Sequence, residues 1–284
     1  MTETRKMEGK RVLVTGSGTG IGRGVGLEFA KEGASVVFHY AHSEAGARGA
    51  VDEIKATGGK AEAFKANLGE IDEAKGLAQK AIDFLGGLDV LVNNAGITMN
   101  KPFREVTPDQ FNTLYNVNIR GMFFVTQTAV GPMVEQGKGA VVNLTSGHAF
   151  SGMTEHTVYA GTKAAIVAFT RVLALEMAPL GIRVNAIAPG WILVENHFKV
   201  MEQAGVKFDR EKAQLILPAG FIGDPWDIGR LAIFLASEDA RYIVGQTIIS
   251  DGGQQAIMPQ TGDFRQRRTE QWGQGYVSGL GTKN

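Results

Sequence analysis

The chain has no cysteine among its 284 residues. That excludes disulfides, thiolate metal sites and a cysteine nucleophile. Histidine is scarce: His39, His42, His148, His156 and His197 form no H-E-x-x-H and no close ligand cluster, so no catalytic metal is expected. An excess of either charge is also missing, with 29 basic and 29 acidic residues. Neither nucleic acid nor an acidic membrane surface is therefore expected as a partner. The run R-Q-R-R from Arg265 to Arg268 is a small basic spot, read as solvated surface. No apolar run approaches the ~18 residues of a membrane span. The polar start MTETRKMEGK lacks a signal-peptide core. These absences lead to the expectation of a soluble, cytoplasmic protein. The length suits one large domain with a core that needs no covalent staples.

What is present is alternation. Short apolar, β-branched runs at Arg11–Thr15, Ser35–Tyr40, Ala61–Lys65, Val90–Asn93, Ala140–Thr145, Arg183–Ala188 and Gln246–Ser250 read as strands. Amphipathic stretches at Gly22–Glu32, Glu44–Thr57, Ile71–Phe84, Asp109–Glu135, Val158–Leu180 and Pro225–Ser237 read as helices between them. Strand–helix alternation at this spacing predicts right-handed βαβ units. The outcome is a doubly wound α/β fold, with one parallel sheet of about seven strands and helices on both faces. The pattern stops after ISDGG, at Gly253, so residues 1–253 are expected as one domain and 254–284 as a C-terminal extension. That extension is rich in Gln and Gly but carries Ile257, Met258, Phe264, Trp272 and Tyr276. Aromatics spaced through a polar segment suggest docking rather than disorder alone.

The stretch RVLVTGSGTGIGRGVGLEF, beginning at Arg11, alternates glycine with other residues. G-x-G-x-x-G fails at every start, on Ile21, Arg23, Val25, Leu27 or Phe29. The spacing G-x-x-x-G-x-G fits at Gly16, Gly18 or Gly20. Because the first strand ends at Thr15, the turn begins at Gly16, which selects Gly16, Gly20 and Gly22. Gly16 permits a sharp exit from the strand, Gly20 close approach of a pyrophosphate, and Gly22 tight packing of the helix on the sheet. Exposed N–H groups and the positive helix end then favour phosphates. A flexible glycine loop without a ligand is the alternative.

A second cluster lies in SGHAFSGMTEHTVYAGTK. Tyr159 and Lys163 stand four apart at the start of a helix and project from one face. An ammonium beside a phenol favours phenolate, lowering a pKa ordinarily about 10. Ser146 falls just past a strand's carboxyl end, where ligands bind open α/β sheets. Its hydroxyl can donate to a carbonyl oxygen or accept from an alcohol.

At these residues the chain resembles the short-chain dehydrogenase/reductase family, in its single-domain Rossmann form, from about Lys10 to Gly253. The motifs are T-G-S-G-T-G-I-G (Thr15 to Gly22), N-N-A-G (Asn93 to Gly96), N-I-R-G (Asn118 to Gly121) and L-T-S (Leu144 to Ser146). Y-A-G-T-K (Tyr159 to Lys163) and N-A-I-A-P-G (Asn185 to Gly190) follow in order. The resemblance implies that Tyr159 is the acid/base and that Lys163 lowers its pKa and binds the nicotinamide ribose. Ser146 positions the substrate oxygen, and Asn118 holds a water linking Lys163 to solvent. Ser17 and Ile21 join the glycines at the cofactor. Asn94, Ala95 and Gly96 line the adenine-ribose side, where a stabilising strand–loop contact is the alternative. Pro189, Gly190 and Ile192 pass beneath the nicotinamide. Asn67, beside Leu68, replaces the family's frequent aspartate at the adenine, and Val194 replaces a carboxamide-binding threonine.

An NAD-selecting carboxylate is expected at the end of the second strand. Here Tyr40 stands at that position, with His42 and Ser43 as possible partners for a 2′-phosphate and the first acid only at Glu44. NADP is therefore expected to be accepted, with NAD also used. The expected reaction is hydride transfer between nicotinamide and a secondary alcohol or carbonyl, most like bacterial sugar or polyol dehydrogenases. A 3-oxoacyl-carrier-protein reductase or a non-catalytic nucleotide sensor are the alternatives. Residues 191–217 are expected as a substrate lid. Within and near it, Trp191, Glu195, Asn196, His148 and His156 are candidates for holding a hydroxyl-rich small molecule, each with a surface role as its alternative. The family further implies a homotetramer built on the helices holding Asn118–Glu135 and Val158–Leu180.

Overall fold

Runs of apolar, β-branched residues have nowhere to bury both of their faces except between two helical layers. In the computed structural model, which describes residues 5–195, 198, 202, 205, 209–258, 264 and 265, seven such runs do so. They are β1 (Arg11–Val14), β2 (Ser35–Tyr40), β3 (Ala61–Lys65), β4 (Val90–Asn93), β5 (Gly139–Leu144), β6 (Ile182–Pro189) and β7 (Thr247–Ser250). All pairings are parallel, in the order β3-β2-β1-β4-β5-β6-β7. Strand order reverses at β1 and β4, which opens a crevice at their carboxyl ends. The helices are α1 (Gly20–Lys31), α2 (Glu44–Ala56), α3 (Ile71–Leu85), α4 (Pro108–Tyr115), α5 (Met122–Glu135), α6 (Thr157–Met177), α7 (Arg210–Leu215) and α8 (Pro225–Ala236).

Strand alternation divides the core in two. Val12, Val14, Val36 and Phe38 face α1, α2 and α8, where Val25, Phe29, Ala47 and Ile228 complete one cluster. Leu13, Val37, Leu91 and Val141 face the other way, against Leu77, Val125 and Ala174 of α3, α5 and α6. Each fully buried large side chain of this kind contributes about 1.5–3 kcal/mol. A buried polar ladder crosses the second layer. Asn93 Nδ2 donates to Thr126 Oγ1 (2.8 Å) and Asn143 Oδ1 (2.9 Å), and Asn143 Nδ2 donates to Thr170 Oγ1 (3.0 Å). Any slip of β4, β5 or α6 would strand these groups, at about 1–3 kcal/mol each.

Strand limits agree with the sequence to within about two residues, but two expectations need correction. The stretch expected as one helix over Asp109–Glu135 is interrupted by a π-turn at Asn116–Gly121. A capping box of Thr107 and Gln110 starts α4 with Pro108 in its first turn, and Gly121 allows the widened turn to press against Leu68. Hydrophobic spacing does not register such a one-residue insertion. The second correction concerns apolar length. Residues Thr157–Leu180, α6 and its 3₁₀ end, span 24 residues apolar enough by composition to cross a membrane. Here Val158, Ile166 and Val167 of that helix are buried in the protein, together with Thr162 and Lys163.

Candidate active site

The glycine turn leaves β1 with Gly16 at φ +61°, a conformation that L side chains rarely adopt. A Cβ there would also lie 2.6 Å from Ala95 Cα. Four neighbours pin the turn. The Asn94 amide donates to the carbonyls of Thr15 (3.0 Å) and Gly16 (2.9 Å), and Thr15 Oγ1 accepts from the N–H groups of Asn94 and Ala95. Ser17 is fully buried; its hydroxyl donates to Val14 O and accepts from His39 N. The Gly16 N–H donates to His39 Nδ1 (2.8 Å), while His39 Nε2 lies 3.0 Å from Ala66 O. His39 is therefore a neutral imidazole with its proton on Nε2, and burial pushes its pKa down. At Gly22 any Cβ would strike Asn94 and the Gly16 carbonyl, so the tight packing expected of this glycine is present.

Several side chains expected at a ligand lie one layer behind it. The Ser17 hydroxyl and the Asn94 amide spend their hydrogen bonds on the turn itself. Leu68 and Ile192 are buried, and Ile21 packs on the core. The Asn67 amide oxygen accepts from Gly69 N (3.0 Å), with one lone pair remaining. At the edge of the turn, Gly18 abuts Ser43 and Tyr40, while His42 is exposed beside them. Gly96 comes close to Asn118 and Lys163. Gly190 N donates to Ser250 O directly after Pro189 of β6.

The larger correction is Glu195. The sequence assigned it to the substrate; the structure places it on the glycine turn. Its Oε2 accepts from Gly20 N (3.1 Å) and Thr19 Oγ1 (3.2 Å), at the N-terminus of α1. Burial pushes its pKa up, but these donors and the charge of Arg23 outweigh it and hold the carboxyl below its ordinary value. Asn196 and His197 lie outside the described residues.

Some 3₁₀ and helical geometry assembles the second cluster. Ser146 follows β5, accepts from His148 N (3.2 Å), and hydrogen-bonds the Tyr159 hydroxyl. Lys163 is 4 % exposed, and its Nζ donates to Leu144 O (3.0 Å) and sits 5.7 Å from the Tyr159 ring centroid. Thr145 Oγ1 donates to Lys163 O, and Thr162 Oγ1 donates to Tyr159 O. The Asn118 amide uses both its donors and accepts once: Oδ1 accepts from Ile97 N (2.8 Å), and Nδ2 donates to Ile97 O (2.9 Å) and Thr162 Oγ1 (3.1 Å). The side chain thus clamps the loop after N-N-A-G to α6. A water on Asn118 would use the remaining Oδ1 lone pair or the main chain, which the π-turn takes out of ordinary helical register.

The expected lowering of the Tyr159 pKa is not met. Burial raises it, with the Ser146 hydrogen bond acting in the opposite direction. Lys163 is spent on a carbonyl beneath the ring, and burial lowers it to about 8. Beside Tyr159, the imidazoles of His148 and His156 stack 4.8 Å apart at 7°, each edge-on to the tyrosine. Burial, then the charge of His156, lowers the His148 pKa. The structure adds residues the sequence did not single out: His39, Thr145 and Thr162 hold the site, and Gln255 reaches Gly147. Only His39 left a trace, as a polar residue inside an apolar strand.

A family model described as enoyl-(acyl carrier protein) reductase matches residues 16–255. The chain is 40% identical over 250 residues to an uncharacterized oxidoreductase of Methylorubrum extorquens, covering 87% of this chain and 98% of that protein. It is 37% identical over 257 residues to a hydroxynaphthalene reductase-like protein of Metarhizium brunneum (88% and 96% covered). Among solved structures, a short-chain type dehydrogenase/reductase from Mycobacterium marinum superposes with a TM-score of 0.80 at 31% identity, covering 90% of this chain and 99% of that one. A protein described as an NAD(P)-dependent gluconate 5-dehydrogenase from Beutenbergia cavernae, with NADP bound at low occupancy, gives 0.80 at 33% identity (89% and 100% covered). The chain belongs to the short-chain dehydrogenase/reductase family. It is an NAD(P)-dependent oxidoreductase.

Proposed function

We propose that the protein transfers hydride between a nicotinamide dinucleotide and a secondary alcohol or ketone on a sugar, polyol or sugar acid, with Tyr159 as the acid/base. The observation that carries this is the convergence of Ser146, Tyr159 and Lys163 at the carboxyl end of β5, beside a glycine turn whose donors already hold an anion. The turn fits a dinucleotide: the Gly20 N–H and Thr19 hydroxyl donate to a carboxylate, and Gly16 and Gly22 keep the backbone free of side chains. Gly20, flanked by Gly16 and Gly22, would hold the pyrophosphate, Tyr40, His42 and Ser43 the adenosine ribose, and Lys163 the nicotinamide ribose. When bound, the nicotinamide supplies or accepts the hydride.

The protein's own groups do the rest. Ser146 fixes the substrate oxygen, and Tyr159 gives it a proton in reduction or takes the hydroxyl proton in oxidation. A cation at Lys163 would stabilise phenolate, while burial favours the protonated form of Tyr159. His148 and His156 present donors beside Tyr159, which suits a hydroxyl-rich substrate. Two structural neighbours are described as gluconate dehydrogenases, which supports the same substrate class. The flat face of the stacked imidazoles and the hydroxynaphthalene and versicolorin reductases among the relatives favour a second reading, an aromatic ketone. Following NADPH and NADH consumption, and the reverse, over gluconate-type acids, polyols, aromatic ketones and 3-oxoacyl thioesters decides it. Turnover confined to thioesters or to aromatic ketones would overturn the sugar reading.

Residues 1–253 are proposed to act as one catalytic unit, cytoplasmic and homotetrameric. Phe123 of α5 and Val172 of α6 are exposed and, with Phe169, border a cavity of about 260 Å³ that suits helix-to-helix association; Leu175 of α6 is exposed as well. The extension at 254–284 is proposed to dock near an active-site mouth, where Gln255 already stands against Gly147. Its Trp272 and Tyr276 lie outside the described residues.

A further inference from the structure

Helix α1 begins without a cap of its own. Thr19 makes no side-chain bond to the helix, and no acidic residue stands in its first turn. Both are common devices for satisfying the first amides and the positive helix end. The anion comes instead from far along the chain, just past β6. Glu195 Oε2 takes the Gly20 N–H at 3.1 Å and the Thr19 hydroxyl at 3.2 Å. Val194 closes over the same turn: a Cβ on Gly20 would lie 3.3 Å from Val194 Cγ1 and meet no other residue among the described ones.

These are the donors that a dinucleotide's pyrophosphate would use, because phosphates bind where helix-start amides and the dipole coincide. A single N–H cannot serve a carboxylate and a phosphate oxygen at full strength. A carboxylate left beside a pyrophosphate would also repel it. We propose that Glu195 is an internal competitor for the dinucleotide: it caps α1 in the free protein, and the cofactor must displace it to bind. Observed affinity is then the intrinsic affinity reduced by the fraction of molecules with the cap in place. The inference rests on the cofactor reading above and adds a residue that sets how tightly the cofactor is held.

The test is direct binding of NADPH, and separately NADH, by nucleotide fluorescence, with thermal melts of the same proteins. Glu195→Gln keeps the shape and removes the charge; Glu195→Ala removes both. The expected result is a dissociation constant about twofold to fivefold lower in Glu195→Gln, the range set by one charge at a helix N-terminus. Ligand-free melting should fall in both variants while the NADPH-induced rise in melting temperature grows. A contact that merely stabilised the fold would lower the first without enlarging the second. Unchanged or weaker NADPH and NADH binding in both variants would overturn the proposal. If the unmodified protein bound neither nucleotide, the cofactor reading itself would fall, and the proposal with it.

Discussion

The two ends of the parallel sheet are built on different terms. At the amino end lies a cavity of about 360 Å³ lined by Lys6, Lys10, Asp89, Lys138, Arg183 and Glu238. Most of its charges answer one another. Arg11 grips Asp89 through two nitrogens (2.8 and 3.0 Å), Lys6 meets Asp239 at 2.7 Å, and Lys138 meets Glu238 at 2.6 Å. The Arg183 guanidinium is spent on the carbonyls of Leu235, Ser237 and Ala240. At the carboxyl end, the chain pins its backbone with Ser17, His39, Asn94 and Asn118 but turns other groups outward. The Gly20 amide at the start of α1 donates to Glu195, and the His148 ring lies against Tyr159 and His156. Where the protein satisfies itself the residues are architecture; where it leaves donors facing a cleft they are available for chemistry.

That contrast can be broken by substitution on the carboxyl side. The largest loss short of the acid/base itself is expected from Lys163→Met. Turnover should fall by about 10²-fold or more, and the cofactor dissociation constant should rise, since one ammonium serves both proton and ribose. Its folded pKa of about 8 lies below the ordinary 10.5, so the unfolded chain binds more protons between those values. Stability from this residue therefore rises as pH climbs from 8 to 10.5. Melting temperatures across that window should rise relative to Lys163→Met; parallel curves would contradict the burial.

A middle-sized effect sharpens the architectural half. Asn94→Ala leaves the carbonyls of Thr15 and Gly16 short of a donor and should cost about 1–3 kcal/mol in denaturant unfolding. It should weaken NADPH binding through the turn, without changing the pH dependence of turnover. An unaltered midpoint would show that the turn does not depend on this clamp.

The smallest expected effect is a pH slope at His39. Its folded pKa is lowered from the ordinary 6.5 by burial, and a proton on Nδ1 would also expel the Gly16 N–H. The unfolded chain takes up a proton that the folded one refuses, so this contribution is full above pH 6.5 and declines as pH falls below it. His39→Gln should flatten melting temperature against pH between about 5 and 6.5. An identical slope in the variant would assign the acid sensitivity elsewhere.

Much of this was legible in the residues. Strand–helix alternation gave the sheet because burial on both faces demands apolar runs, and the end of β1 chose the glycine register. Tyr159, Lys163 and Ser146 were readable because helical spacing and a strand end bring them together. Three features were not. The π-turn at Asn118 depends on how Gly121 meets Leu68, which no periodicity encodes. The Tyr159 pKa turned on whether Lys163 reaches the hydroxyl or a carbonyl, a matter of depth rather than spacing. Glu195 could not be placed because a contact across 175 residues leaves no local pattern.

The account stands most directly on one comparison: Tyr159→Phe against the unmodified protein, with NADPH binding and single-turnover hydride transfer measured on the same preparations. Removing only the hydroxyl should leave the NADPH dissociation constant nearly unchanged and slow hydride transfer by about 10²-fold or more. Near-native hydride transfer in Tyr159→Phe would contradict the assignment of Tyr159 as the acid/base, and with it the proposed mechanism.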